Sequence, residues 1–164
     1  MRRALDQVRL SIVIANYNGI GTLPGMLASL KAYPYPLEEI IVVDDGSSDG
    51  SVDWLRESHP DVRLVAFEAN TGNLAKVRNA GLQAARGTHA FLTDNDIEFL
   101  PDCLHRLLEV VVADDRAFCV TPRLVYHDRP EVIFQDGNGM HFLALGTGNL
   151  RGVKVADAGV PAPF

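Results

Sequence analysis

Short apolar runs rich in β-branched residues alternate along this chain with stretches in which apolar residues return every three or four positions. The first pattern suits strands covered on both faces, and the second suits helices with one buried face. Leu10-Ser11-Ile12-Val13-Ile14-Ala15 is the first strand-like run, and Asn16-Tyr17-Asn18-Gly19 breaks it. A helix is predicted from about Leu23 to Ala32, with Leu23, Leu27 and Leu30 on one face. Tyr33-Pro34-Tyr35-Pro36 stops that helix, since proline cannot continue one and restricts its predecessor. Ile40-Ile41-Val42-Val43 predicts a second buried strand, ending in the turn and cap formers Asp44-Asp45-Gly46-Ser47-Ser48-Asp49-Gly50-Ser51. A short helix over Val52–Ser58 and a third strand over Val62–Ala66 follow. Leu74–Ala85 reads as a helix with Leu74, Val77, Ala80 and Ala84 inward, closed by Gly87. His89-Ala90-Phe91-Leu92-Thr93 is the fourth strand, running into Asp94, and Leu104–Ala113 is a helix carrying Leu104, Leu107, Leu108 and Val111 at helical spacing.

After Cys119 the rhythm changes. Phe118–Thr121, Leu124–Tyr126, Val132–Gln135 and Met140–Leu145 read as short strands, with turns at Asp136-Gly137-Asn138-Gly139 and Gly146-Thr147-Gly148. Ala156–Phe164 is rich in Gly, Pro and Ala and has no periodic face, so it reads as a linker or an open end. The whole is an α/β pattern: a mostly parallel sheet flanked by helices, with short extra strands in the C-terminal part.

Composition narrows the classes. The chain has 164 residues, 47% hydrophobic and 22% charged, enough for one domain with its own core. No apolar run approaches the roughly 18–20 residues of a membrane span, and Met1–Leu10 has no apolar stretch typical of a secretory signal. A cytoplasmic location is expected, with membrane association left open for a longer parent chain. A net charge of −6 argues against a nucleic-acid partner, which needs clustered Lys and Arg. Cys103 and Cys119 make neither a disulfide framework nor a metal knot and read as buried free thiols.

Candidate chemistry gathers at the carboxyl ends of the strands, where open α/β sheets bind ligands. Those ends are Ala15–Asn18, Asp44–Ser47 and Asp94–Asp96. Two of them crowd carboxylates, which repel unless a cation or hydrogen-bond donors compensate, and hard divalent cations choose oxygen ligands. In an extended segment Asp94 and Asp96 would face one ligand while Asn95 points away. Gly46 would let backbone come close to a ligand, and Asp45 could accept hydrogen bonds from a base or ribose. Each cluster also has a plain structural reading as turn and helix-cap chemistry. Gly19-Ile20-Gly21 with Asp44 further on has roughly the spacing of a dinucleotide fingerprint, but Pro24 stands where its third small residue belongs. A sugar-nucleotide-forming nucleotidyltransferase would want a basic residue in that first loop, and Asn16–Gly21 has none.

Taken in order, these segments resemble family 2 glycosyltransferases of the GT-A fold. The resemblance rests on Ser11-Ile12-Val13-Ile14-Ala15-Asn16-Tyr17-Asn18, Ile40–Ser51, Asn70-Thr71-Gly72-Asn73, Arg78-Asn79-Ala80-Gly81 and Phe91–Asp96, and it runs from Leu10 to Ala113. It implies a Rossmann-like sheet and transfer of a sugar, of hexosyl or rhamnosyl type, from a nucleoside diphosphate sugar to a saccharide or lipid-linked acceptor, with inversion. It also implies a nucleotide-sugar site of Ala15, Tyr17, Asp44, Asp45, Arg78, Asp94 and Asn95. Tyr17 would lie against the base and Asp45 would bind its ring nitrogen, with Asp44 supporting that loop. Arg78 would approach base or diphosphate, Asp94 the ribose, and Asp96 a divalent metal, Mn2+ or Mg2+. Nothing after Asp96 matches the family's acidic acceptor-side motif. Residues 1–164 are therefore expected to be a single nucleotide-sugar-binding domain, truncated before the acceptor half, with the catalytic base beyond Phe164. Glu98, Asp114, Asp115, Asp128 and Asp136 read as surface charges. His59, His89, His105, His127 and His141 lack metal-ligand spacing. A non-catalytic nucleotide-binding module and, behind it, an NAD(P)-binding Rossmann domain are the alternatives.

Overall fold

The computed structural model of the chain describes residues 5–32, 37–114, 117–136, 138–139, 149–150 and 155–156. The chain divides into two compact units, Arg3–Asp102 and Cys103–Phe164 together with Met1–Arg2. The first unit begins with a short 3-10 turn, Leu5–Gln7. It then alternates strand and helix: β1 (Leu10–Asn16), α1 (Leu23–Lys31), β2 (Glu39–Asp44), α2 (Ser51–Ser58), β3 (Arg63–Ala66), α3 (Leu74–Ala84) and β4 (His89–Asp94). The strands form one parallel sheet in the order β3-β2-β1-β4. After β3 the chain crosses over β2 and β1 to reach the far edge, so the order reverses beside β1. That reversal opens a crevice at the carboxyl ends of β1 and β4.

Every residue of β1 is buried, as its continuous apolar run demands of a central parallel strand. One face of the sheet packs Val13, Ala15, Ile41 and Val43 against Val77 of α3. The approach of α3 is close because Gly81 has no side chain. A Cβ there would stand 2.2 Å from Val13 Cγ1 and 3.0 Å from Val43 Cγ2. In α1 the predicted face is present, with Leu23, Met26, Leu27 and Leu30 buried, and proline sits in the first turn, where its missing N–H costs nothing. Leu74 departs from expectation. The buried residues of α3 are Val77 and Gly81, and Leu74 is 47% exposed. It opens the helix at the level of the strand ends, so it faces the crevice instead of the sheet.

The amino ends of the strands are closed by a polar network. The Ser11 hydroxyl donates to Glu39 Oε1 at 3.0 Å and accepts the Gly87 N–H at 2.9 Å. The Arg86 N–H donates to Glu39 Oε1 at 2.6 Å, and Arg63 Nη1 reaches both Glu39 Oε2 at 3.5 Å and the Ala84 carbonyl at 2.6 Å.

The second unit holds α4 (Cys103–Ala113), with Leu104 and Leu108 buried, and a hairpin of β5 (Arg123–Tyr126) and β6 (Arg129–Asp136). Tyr126 and Phe134 meet edge-on at 5.5 Å across that hairpin, and the Arg129 guanidinium lies 5.1 Å over the Tyr126 ring. Short strands β7 (Asn138–Gly139) and β8 (Asn149–Leu150) pair with each other, and β9 (Val155–Ala156) pairs with β6.

Three expectations are corrected here. Phe118–Thr121 forms no strand: it has no ladder partner among the described residues, and Phe118 is fully exposed. Asn138-Gly139 belongs to a strand instead of a turn, because its backbone is paired with Asn149-Leu150. Cys119 is exposed and Cys103 only half-buried, since Cys119 sits in that unladdered segment. The predicted stop at Tyr33–Pro36, the strand at Met140–Leu145, the turn at Gly146–Gly148, Asp115, His141 and the tail 157–164 lie outside the described residues. No helix of the described residues is long and apolar enough to cross a membrane.

Burial by itself would raise the Glu39 pKa. The Arg86 N–H, the Ser11 hydroxyl and the Arg63 guanidinium outweigh it and hold the carboxyl below its usual value. A depressed folded-state pKa stabilises the fold above the unfolded value of about 4.3, and that contribution is lost as pH falls through the folded value. Glu39→Gln is therefore expected to lower stability at pH 7 and to flatten the loss of stability below about pH 4.3. Urea denaturation of both proteins at pH 7 and pH 3 measures it. A constant stability difference across that range would contradict the assignment.

Candidate active site

A cleft of about 420 Å³ opens at the carboxyl ends of β1, β2 and β4, lined by Ala15, Asn16, Tyr17, Asp45, Asn70, Gly72, Asn73, Leu74, Val77, Asp94, Asn95 and Asp96. Six of the eight residues expected of the site line it: Ala15, Tyr17, Asp45, Asp94, Asn95 and Asp96. Asp44 lies beneath the cleft, and Arg78 reaches it through Asp94.

Asp44 is wholly buried at the end of β2. A buried carboxylate is tolerable only when donors surround it. Three do: the Ser47 N–H at 2.8 Å, the Ser47 hydroxyl at 2.6 Å and Asn16 Nδ2 at 2.6 Å. Asn16, 2% exposed at the end of β1, uses its other amide atom as well: Oδ1 accepts a bond from Asn95 Nδ2 at 2.6 Å. One hydrogen-bonded line thus runs across three strand ends, from Asp44 through Asn16 to Asn95.

The first two loops are stitched together beside this line. The Asn18 N–H donates to Ser47 Oγ at 2.8 Å, and the Ser48 N–H returns to Asn18 Oδ1 at 2.9 Å. The Ile20 N–H donates to Asp49 Oδ2 at 2.8 Å. Asp49 titrates below its usual value. Burial opposes this, but the Ser51 hydroxyl and the Ile20 and Ser51 N–H groups outweigh it. Tyr17 rides on this pinned loop, lines the cleft and keeps 51% of its surface exposed.

Asp45 has one oxygen engaged, Oδ1, which accepts the Thr71 N–H at 3.0 Å. Gly46 beneath it has φ +74° and passes so near the next loop that a Cβ would lie 2.4 Å from the Ala69 carbonyl carbon. Arg78 sets a single nitrogen, Nη2, against both oxygens of Asp94, at 2.9 and 3.1 Å, while its buried Nε has no partner. Asn95 and Asp96 sit in the turn after β4, so the extended geometry assumed for the triplet stops at Asp94. Asp96 is exposed on the cleft rim. Among the described residues no group of three or more His, Cys, Asp or Glu could hold a metal alone.

This geometry accounts for the glycines that suggested a dinucleotide site. Gly19 crosses directly over the Asn16–Asn95 bond, where a Cβ would be 2.1 Å from Asn16 Oδ1 and 2.0 Å from Asn95 Nδ2. A Cβ at Gly21 would meet nothing within 4 Å, and Asp44 is sealed from any ribose. Asn16, Asn70, Gly72, Asn73, Leu74 and Val77 also line the cleft without having been given a role there: Asn16 stood only within a candidate strand end, and Asn70, Gly72 and Asn73 only within a stretch that carries the resemblance. Asn16 had a legible signal, a polar residue ending an apolar run that must be buried. Asn70–Asn73 had the resemblance as its signal, but its place at the cleft follows from the crossover to β4, which local sequence does not announce.

A parallel sheet in this order, flanked by helices, is a doubly wound nucleotide-binding arrangement, and the solved structures that share this chain's version of it are GT-A glycosyltransferases. Among solved structures, the chain is similar to the mannosyltransferase PcManGT from Pyrobaculum calidifontis in complex with GDP-Man and Mn2+, with a TM-score of 0.58 and 28% identity over 66% of this chain and 33% of that one. It also superposes on TarS 1-349 of S. aureus in complex with UDP-GlcNAc, with a TM-score of 0.57 and 24% identity over 63% of this chain and 31% of that one. The succinoglycan biosynthesis protein ExoO of Rhizobium meliloti is 32% identical over 143 residues, 86% of this chain and 39% of that protein. Residues 11–153 match the model described as Glycosyl transferase family 2, and the chain belongs to that family. It spans between 31% and 39% of the lengths of these three proteins.

Asp44→Ala would strand the Asn16 amide and the Ser47 N–H without their acceptor. A loss of about 3 kcal/mol in unfolding free energy is expected, the sum of two or three unmet buried donors. Chemical denaturation checks this, and a loss under about 1 kcal/mol would contradict the central role of the carboxylate.

Proposed function

We propose that residues 1–164 form the nucleotide-sugar-binding portion of a metal-dependent, inverting glycosyltransferase. The observation that carries this reading is one cleft presenting an exposed aromatic side chain at Tyr17, an unengaged oxygen of Asp45 and the rim carboxylate of Asp96. In this reading the Tyr17 ring supplies a stacking surface for the base. Asp45 Oδ2 accepts an N–H from the base, while Thr71 holds the carboxylate in place through Oδ1. Asp94 accepts from the ribose, and Arg78 keeps its charge compensated and its orientation fixed. Ala15 and Asn95 shape the wall between base and diphosphate.

The charge of the cleft supports a metal. The cleft holds three carboxylates, Asp45, Asp94 and Asp96, against one guanidinium that Asp94 already occupies. A diphosphate entering such a site needs a further cation. Asp96 fits: it is exposed, and no donor among the described residues engages it. It offers too few oxygens to hold Mn2+ or Mg2+ alone, so the diphosphate and water would complete the coordination. When bound, the ion supplies Lewis-acid stabilisation of the departing diphosphate. Asp96 would anchor that end of the donor while Tyr17 and Asp45 anchor the base, leaving the sugar's anomeric carbon open to an acceptor hydroxyl. The transferred sugar would be of hexosyl or rhamnosyl type, and the acceptor a saccharide or lipid-linked saccharide. A cytoplasmic setting and a role in polysaccharide assembly belong to the same reading. No cleft carboxylate is assigned as the base that deprotonates the acceptor, since each already has a donor-side role.

Titration calorimetry of the chain with UDP, dTDP and GDP, with and without manganese, tests this. One nucleotide is expected to bind, at least about tenfold tighter with the metal. Asp96→Ala should remove that gain while changing stability by no more than about 0.5 kcal/mol, as befits an exposed position. Absence of binding to all three nucleotides would overturn the reading.

A further inference from the structure

We infer that Asp44, Asn16 and Asn95 form a relay of fixed polarity, in which the buried carboxylate dictates that position 95 be a hydrogen-bond donor and thereby sets the turn that carries Asp96. The inference rests on the functional reading above for its consequence and on the hydrogen-bond geometry for its mechanism.

The polarity follows from what Asp44 can accept. Its oxygens offer no proton to Asn16, and they already take the Ser47 N–H and hydroxyl. The 2.6 Å contact must therefore be made by the NH2 end of the Asn16 amide. An amide so pinned presents its oxygen on the opposite side, and that oxygen faces position 95 at 2.6 Å. Turning the amide over would set Asn16 Oδ1 against the Asp44 carboxylate at 0% exposure, where no water can intervene. Asn16 is thus a positioning residue with no freedom to adapt. A donor must answer it from the β4 turn, and the middle member of Asp94-Asn95-Asp96 is that donor. Gly19 completes the device, because any side chain there would occupy the space of the Asn16–Asn95 bond. Asn95 accordingly acts through Asp96 on the diphosphate end of the cleft, whereas Asp45 at the base end has a further hold of its own, the Thr71 N–H.

Two variants separate this from general stability. Asn95→Asp is isosteric but places an acceptor opposite an acceptor. Gly19→Ala leaves all three polar groups in place and wedges them apart. Both are made in the full chain, and UDP, dTDP and GDP affinity is measured with and without manganese alongside the melting temperature. The expected result is a melting temperature lower by about 5 °C and a manganese-dependent gain in nucleotide affinity cut by about tenfold, a larger loss than any in metal-free affinity. A purely structural contact would lower the melting temperature and leave the manganese gain intact, and that outcome overturns the inference. So does an Asn95→Asp protein that melts with the wild type. Equal loss of metal-free and metal-dependent affinity would assign Asn95 directly to the nucleotide and also overturn it. If the wild type binds none of the nucleotides, the functional reading fails and the positioning role falls with it. A retained manganese gain in both variants of a nucleotide-binding wild type removes the relay alone.

Discussion

A negative charge buried at the end of β2 constrains everything around it. Asp44 lies at 0% exposure between two other parallel strands, where an uncompensated carboxylate would be intolerable. Its needs fix the Ser47 turn on one side and the Asn16 amide on the other. Through Asn16 the requirement passes to the turn after β4, and through Ser47 to the loop after β1, whose Asn18 N–H bonds the same hydroxyl. Three loops far apart in sequence are thus referred to one carboxylate. The apolar sheet supplies the rigidity on which that arrangement depends, since α3 is clamped to β1 and β2 by the close approach at Gly81.

The cleft above this foundation divides the labour of its carboxylates by environment. Asp44 is consumed in structure, Asp45 is half engaged, Asp94 is neutralised by Arg78, and Asp96 is left open to solvent. Four aspartates within a short reach of one another therefore present four different faces to a ligand. The unpartnered Nε of Arg78 has a physical meaning in this light. The guanidinium meets both oxygens of Asp94 through one nitrogen, which fixes the carboxylate while the buried Nε is left outside the pair.

Most of the first unit was legible in the sequence, because buried parallel strands and one-sided helices leave unmistakable periods. β1, β2, β4, α1 and α3 fall within a residue or two of where those periods put them. The face of α3 was read one turn too far, since Leu74 keeps the helical period but lies past the end of the sheet. The second unit was harder. Phe118–Thr121 has strand-like composition without a ladder partner, and pairing is a tertiary fact that a short segment does not announce. At the cleft, Tyr17, Asp45 and Asp94–Asp96 could be picked out because strand ends are where ligands bind. The Asn16–Asn95 bond and the Arg78–Asp94 pair could not, as they join residues 79 and 16 positions apart. Gly19 misled for the same reason: its role is to make room for two side chains that sequence does not bring together.

The segment from Asn70 to Asn73 stands apart from the other cleft loops. The loops after β1 and β2 are cross-braced by several bonds, so their lengths are coupled, and an insertion in one would tear the other. Asn70–Asn73 is braced within itself by Asn70 Oδ1 and the Thr71 hydroxyl, caps its own helix through Asn73, and reaches the cleft floor through Thr71. Its tie to the other loops is tight: Gly46 passes beneath it with no room for a side chain and the Thr71 N–H holds Asp45, so a change in the length of Asn70–Asn73 would be felt first as a displacement of that carboxylate.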